Sequence, residues 1–294
     1  MTVVCWSMAR RVFQSKLGRL YHGDCLQVLP KVESESVDLV FADPPFNLGK
    51  DYGKGVDDAR AADDYLEWCG KWIDECVRTL RPGGAFFLYN LPAWNIHLGR
   101  RLAESGMLFR HWIAIDIKFG LPIPGRLYPS HYSLLYYTKG KPRFFHRPRV
   151  PIPVCRHCGK DLKDYGGHRG KLNPAGLNLA DVWADIPPVR HRSTKRRSAN
   201  ELSVKLLHRV LEIATEPGDL VLDPLGGSGT TYYVAEQMHR RWIGVELGDC
   251  APIIRRLRGE DAEWTPKNLG DAAKGMTKTR ATQAAKARQL TLKV

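Results

Sequence analysis

The segment FADPPFN, residues 41–47, sets a carboxylate, two prolines and an aromatic ring in consecutive positions. Two consecutive prolines rigidify the backbone, remove two N–H donors and leave carbonyls available as acceptors. Asp43 adds a carboxylate acceptor and Phe46 a flat face. An exocyclic NH2 group has two protons to donate, and an Asp43 oxygen with the Pro44 carbonyl can accept both. Such acceptors favour the tetrahedral, nucleophilic form of a nitrogen whose lone pair is otherwise delocalised into a ring. A base turned out of its helix would then stack on Phe46. A lone Pro-Pro pair is more simply a rigid turn; Asp-Pro-Pro-Phe directly after an apolar run is more specific.

A second stretch, VLDPLGGSGTT at 221–231, reads as a buried strand ending at Asp223, a glycine-rich turn, and a helix opening near Thr230. Gly226, Gly227 and Gly229 allow a sharp turn and close approach of backbone to a ligand. The helix start presents free amide N–H groups. Glu246 ends the next strand-like run, where an acid can grip ribose hydroxyls. A phosphate-cradling loop would need Lys after Gly229, and a dinucleotide fingerprint would need Gly at 232, where this chain has Tyr. Asp223 suits a positively charged ligand, such as the sulfonium and ammonium of S-adenosylmethionine, better than it suits pyrophosphate. The plainer alternative is a strand-to-helix connection with no ligand.

Together the two motifs resemble the S-adenosylmethionine-dependent amino-methyltransferases that modify adenine N6 or cytosine N4 in DNA. The tetrapeptide precedes the glycine loop by about 180 residues. That order resembles the permuted β group, with the catalytic half first, a target-recognition segment next and the cofactor half last. The resemblance covers about residues 18–260. It implies catalytic roles for Asp43, Pro44, Pro45 and Phe46, and cofactor contacts from Asp223, Pro224, Gly226, Gly227, Ser228, Gly229, Thr230 and Glu246. YHGDCLQVL looks like the segment whose acid approaches the cofactor adenine, which makes Asp24 a candidate. ANELSVKLLHRVL looks like the segment that closes over the methionine end, with Asn200, Glu201 and Lys205 as candidates. Within the family Asp heads the tetrapeptide more often in adenine enzymes and Ser in cytosine ones, so the resemblance implies adenine N6, with cytosine N4 as the alternative. Leu225-Gly226 stands where the family often carries an aromatic. The implied substrate is double-stranded DNA and the implied assembly a homodimer.

These groups need a scaffold to bring them together. VDLVFA (37–42) reads as a strand covered on both faces. Residues 61–80 place Tyr65, Trp68, Cys69, Trp72, Cys76 and Leu80 at helical spacing, a pattern of core packing, and Pro82-Gly83-Gly84 ends that helix ahead of the strand AFFLYN. Strands are expected at 108–117, 131–138, Leu220 to Asp223 and Trp242 to Glu246. Helices are expected over 201–214, from about 229, and near 249–259. The reading is α/β: a Rossmann-like, mostly parallel sheet with helices on both faces. Its expected organisation is a catalytic half over 18–138, an irregular insertion over 139–197, a cofactor half over 198–265 and a basic tail over 266–294.

The net charge of +14 is localised. Residues 139–197 hold 15 Lys/Arg against 4 Asp/Glu and residues 266–294 hold 7 against 1, leaving the remainder mildly acidic. Charge concentrated this way suits a polyanion, nucleic acid above all, rather than general solubility. The densest block, RHRSTKRR at 190–197, is expected to contact phosphates rather than read bases. No apolar run approaches the roughly 18 residues of a spanning helix, and no secretory leader is evident, so the expectation is a cytoplasmic protein with no membrane partner. The scattered cysteines form no disulfide framework, and Cys5, Cys25, Cys69, Cys76 and Cys250 read as reduced thiols. Cys155-Arg-His-Cys158 resembles half a structural zinc site; His146, His157, His168 or a second subunit would have to complete it, and otherwise these are two loop cysteines. A methyltransferase is thus the leading function class. An RNA-directed relative and a DNA-binding regulator that has lost transfer are the alternatives.

Overall fold

The computed structural model describes residues 9–49, 58–117, 124, 125, 127–152, 154, 155, 158, 160, 161, 163–186 and 201–260. Its strands are β1 (Arg10–Gln14), β2 (Gly18–His22), β3 (Val37–Ala42), β4 (Leu80–Asn90), β5 (Leu108–Asp116), β6 (His131–Thr138), β7 (Arg149–Val150), β8 (Leu177–Asn178), β9 (Val182–Trp183), β10 (Leu220–Asp223) and β11 (Arg241–Glu246). The helices are α1 (Cys25–Val28), α2 (Ala62–Thr79), α3 (Pro92–Glu104), α4 (Val204–Ala214), α5 (Thr230–Gln237) and α6 (Ala251–Arg258). Among the described residues a larger compact unit takes in 9–146 and 181–260, and a smaller one takes in 147–180.

The larger unit is built on a nine-stranded sheet in the order β1-β2-β11-β10-β3-β4-β6-β5-β9. Strands β2, β11, β10, β3 and β4 run parallel, while β6 and β5 pair antiparallel beyond them. This is the mixed, mostly parallel sheet of a Rossmann-like α/β fold, flanked by helices. All six residues of β3 are buried, as the uninterrupted apolar run requires of a strand covered on both faces. Helix α2 turns Tyr65, Cys69, Trp72, Ile73 and Cys76 inward. Its first turn carries Asp63 and Asp64 and its last turn Arg78, charges that complement the helix dipole.

Three expectations change. Pro82-Gly83-Gly84 does not separate α2 from the next strand, because β4 begins at Leu80. The triplet is an irregularity inside β4: the β3 register shifts across it, and Gly83 at φ +78° donates to the Lys139 carbonyl at 2.6 Å. The sheet also gains β1, an edge strand before residue 18 that pairs antiparallel with β2. Finally, residues 139–146 and 181–186 belong to the larger unit, with β9 pairing along β5. The part set apart is therefore narrower than the expected insertion. Within it, β7 pairs with β8, and Val154 bridges Asp161.

Chain direction explains where ligands can sit. From β3 the chain runs through α2 to β4 on one side, and from β10 through α5 to β11 on the other. Adjacent strands whose connections diverge leave a crevice beyond their carboxyl ends.

Candidate active site at the carboxyl edge of the sheet

Val221 pairs with Leu39 and Leu222 with Val40, so β10 and β3 deliver Asp223 and Asp43, 180 residues apart in the chain, to the same edge. On the β10 side the turn after Asp223 leads into α5, whose N-cap Gly229 sits at φ +73°, a conformation that favours glycine. A Cβ on Gly226 would lie 2.2 Å from the Tyr232 hydroxyl. Tyr232 is fully buried and stacks on Trp242 with centroids 4.9 Å apart. Tyr232 thus stands where a dinucleotide fingerprint has its third glycine, and its ring lies over Gly226 and Gly244.

The loop is held by charge. Glu246 accepts from the Gly227 and Gly248 amides, both at 2.6 Å. Arg256 donates to the Ser228 carbonyl at 2.7 Å and to the Thr230 hydroxyl at 3.0 Å. Asp223 accepts from the Leu225 amide at 3.0 Å. Burial lifts the Asp223 carboxyl to about 7 and the nearby charge of Glu246 adds to the rise, against the hydrogen bonds from Thr231 and Leu225. An incoming cation favours the ionised form of such a buried acid. Asp24 lies just past β2, the neighbour of β11, and caps α1 through the Leu26 amide at 2.9 Å; Gly23 before it donates to the Glu246 carbonyl. Asp24, Glu246 and Asp223 thus follow one another along three adjacent strand ends.

The 201–203 segment passes beside the loop, since Thr230 donates to the Leu202 carbonyl at 3.4 Å, and Glu201 is buried there. Asn200 lies outside the described residues. Lys205 is committed elsewhere: its ammonium pairs with the Asp185 carboxylate at 2.7 Å. Arg209 takes the same carboxylate in a two-pronged contact and stacks over Trp183. Burial alone would raise the Asp185 carboxyl, but the hydrogen bonds from Arg209 and Lys205 hold it well below the usual range.

On the β3 side, Asp43 and the two prolines lead into Phe46, whose ring is buried rather than open. It tilts against Tyr89 at 6.1 Å and Tyr132 at 5.6 Å, and these two lie 5.3 Å from each other. Burial and the charge of Asp43 push the Tyr89 phenol well up, which keeps it protonated. Sequence reading missed both tyrosines. The available signal was position: Tyr89 lies at the carboxyl end of the strand beside β3, and Tyr132 at the start of the antiparallel β6. Beyond the tetrapeptide, the Asp58 carboxylate accepts from the amides of Asn47 at 2.6 Å and Leu48 at 3.1 Å. Donors from α2 and α3 reach the next two carbonyls, from Tyr65 to Pro45 and from Trp94 to Phe46.

Part of the basic charge is structural. At the opposite edge of the sheet Arg81 and Arg143 both pair with the buried Asp38, and Lys139 pairs with Glu35. The block 190–197 and the tail 266–294 lie outside the described residues. The Cys155 amide donates to the Lys160 carbonyl at 2.7 Å, Cys158 is exposed, and His157 lies outside the described residues. Among the described residues no group of three or more metal-ligating side chains gathers, Cys25, Cys69, Cys76, Cys155, Cys158 and Cys250 form no disulfide with one another, and no helix is long and apolar enough to cross a membrane.

Comparison with known proteins matches a family model described as DNA methylase to residues 37–251. The type II methyltransferase M.BamHI of Bacillus amyloliquefaciens is 55% identical over 85% of this chain, which spans 59% of that protein's length. The DNA adenine methyltransferase YhdJ of Escherichia coli (strain K12) is 29% identical, with 80% of each chain covered. The solved structure of the PvuII DNA methyltransferase, titled cytosine-N4-specific, superposes with a TM-score of 0.61 at 20% identity, covering 88% of this chain and 92% of that one.

Proposed function

The chain belongs to the N6/N4 DNA methylase family, and from that premise we propose that it transfers a methyl group from S-adenosylmethionine to the exocyclic amino nitrogen of a base flipped out of double-stranded DNA. The pairing of β10 with β3 carries the reading, because it sets a cofactor-type loop and an amino-group acceptor loop side by side. The residues fit the cofactor: Asp223 is a buried acid whose ionised form a cation would favour, Glu246 holds the loop amides, and Asp24 lies just past the adjoining strand. Pro224 and Gly226 to Thr230 supply the close backbone. When bound, S-adenosylmethionine supplies a methyl group on a positively charged sulfur.

The rest falls to this chain. Asp43 and the Pro44 carbonyl accept the two amino protons and turn the nitrogen lone pair toward the methyl group. Phe46, with Tyr89 and Tyr132, walls the base. Transfer is direct, with no enzyme-bound intermediate, so most of the acceleration comes from alignment. One amino proton leaves once the nitrogen carries its methyl group, and Asp43 takes it. Basic residues of the 139–197 region that are not engaged at Asp38 and Glu35 contact phosphates.

Asp43 at the head of the tetrapeptide supports adenine N6. Cytosine N4 is the second reading, supported by a family that includes both kinds of enzyme and by chemistry, since both bases present the same two-donor amino group. Single-molecule sequencing of DNA from cells expressing the protein tests the proposal and reads base and site together. N6-methyladenine at a fixed site supports the first reading and N4-methylcytosine the second. Unmodified DNA overturns both and, with tight DNA binding, leaves a regulator.

A further inference from the structure

Pro44 and Pro45 contribute no amide N–H, so the tetrapeptide lacks two of its four backbone donors. It is fixed from outside. Tyr65, on α2, donates its hydroxyl to the Pro45 carbonyl at 2.8 Å and accepts from the Asn90 side-chain amide at 2.9 Å. Trp94, in the first turn of α3, donates its indole N–H to the Phe46 carbonyl at 2.8 Å. The sense of the chain is set, because the Asn90 oxygen already accepts from the Leu91 amide at 2.7 Å. The Asn90 nitrogen must therefore face Tyr65, and the phenolic proton goes to the Pro45 carbonyl, a stronger acceptor than the Cys69 sulfur beside the hydroxyl. Tyr65 and Asn90 are buried, and burial pushes the Tyr65 phenol well up, so the proton stays in place. The Tyr65 and Trp94 rings lie 4.7 Å apart, and the two donors approach consecutive carbonyls as a unit.

Resting on the methyltransferase reading above, we propose that Tyr65 and Trp94 are positioning residues for the reaction, with Asn90 directing the Tyr65 proton. They withdraw the Pro45 and Phe46 carbonyls from the substrate and fix two successive peptide planes. That fixes the aim of the Pro44 carbonyl on one side and the seat of the Phe46 ring on the other. Three separate elements, α2, the end of β4 and the start of α3, thereby set the direction of one acceptor. A small misalignment of reacting groups costs rate far more than affinity.

Tyr65→Phe tests this, since it keeps the packed ring and deletes only the hydroxyl. Tyr137→Phe is the control, because it also deletes a buried hydroxyl bonded to a carbonyl, that of Gly99 in α3 at 3.0 Å, away from the tetrapeptide. Tyr65→Phe is expected to lower single-turnover kcat on the order of 10- to 100-fold, leaving the S-adenosylmethionine Kd within about twofold. Trp94→Phe shows a loss of the same kind. Tyr137→Phe keeps kcat within about twofold while shifting the melting temperature by a similar amount. A Tyr65→Phe enzyme with near-normal kcat, or a loss matched in Tyr137→Phe, overturns the proposal. Failure of the underlying reading is visible earlier and separately, as a wild-type protein that transfers no methyl group.

Discussion

At the end of β10 charged groups hold the turn: Glu246 accepts from the Gly227 and Gly248 amides, and Arg256 donates to the Ser228 carbonyl. At the end of β3 it is carbonyls that are held, and neutral aromatic donors hold them: Tyr65 takes Pro45, and Trp94 takes Phe46. The contrast suits what each side has to do. A loop receiving a cation gains from buried carboxylates around it. A loop offering acceptors to an uncharged amino group must stay rigid without a cation nearby that would compete for those acceptors. Asp43 then stands as the charged acceptor of its side.

Breaking the β3 side should have the largest effect. Asp43→Ala is expected to reduce transfer on the order of 10³-fold or more, with the S-adenosylmethionine Kd, read by calorimetry, changed by less than about threefold. Near-normal turnover would remove Asp43 from the chemistry. On the β10 side the asymmetry reverses. Glu246→Ala leaves the Gly227 and Gly248 amides unmatched and is expected to raise the cofactor Kd about 10- to 100-fold, with a smaller change in kcat at saturation. An unchanged Kd would show that the carboxylate does not shape the loop. Tyr132→Ala opens the ring wall and should raise the KM for DNA several-fold, roughly 3- to 10-fold, without moving cofactor affinity; equal effects on both ligands would count against a base wall.

The charged side should also respond to pH. Asp223, lifted by burial from 3.8 to about 7, keeps a proton in the folded protein that the unfolded chain has released at neutral pH. Its contribution to stability is complete below pH 3.8 and is lost as pH rises through about 7. Melting curves of the wild type and Asp223→Asn isolate it: their difference should shift between pH 5 and 8, and a constant difference would contradict the shift. Cofactor binding, which favours the ionised carboxylate, should release a proton near neutral pH. The smallest effect concerns the far edge of the sheet. Arg143→Gln should weaken folding yet leave the salt dependence of DNA binding unchanged, because Arg143 pairs with Asp38 and Asp219.

The same contrast explains what could be read from residues alone. The β10 side was legible because its signals are local: Asp223, the glycines and Glu246 lie within 24 consecutive residues, and the strand Leu220–Asp223 has the bounds its apolar run implies. The β3 side was legible only for the tetrapeptide. Tyr89, Tyr132, Asn90 and Trp94 reach it through strand and helix packing over long separations, and an inward-facing Tyr65 has the same helical spacing whether it only packs or also donates. Charge counting had a similar limit. It registers Lys139 and Arg143 as basic without revealing that Glu35 and Asp38 already hold them.

The most direct test is transfer of tritiated methyl from S-adenosylmethionine to unmodified double-stranded DNA by the purified protein, followed by digestion to nucleosides. Label in N6-methyladenine or N4-methylcytosine is the expected result, and which of the two appears decides the base. Label in a ring-carbon product, or in no nucleoside at all, would contradict a site in which Asp43 and Pro44 present a base amino group to the cofactor held at Asp223 and Glu246.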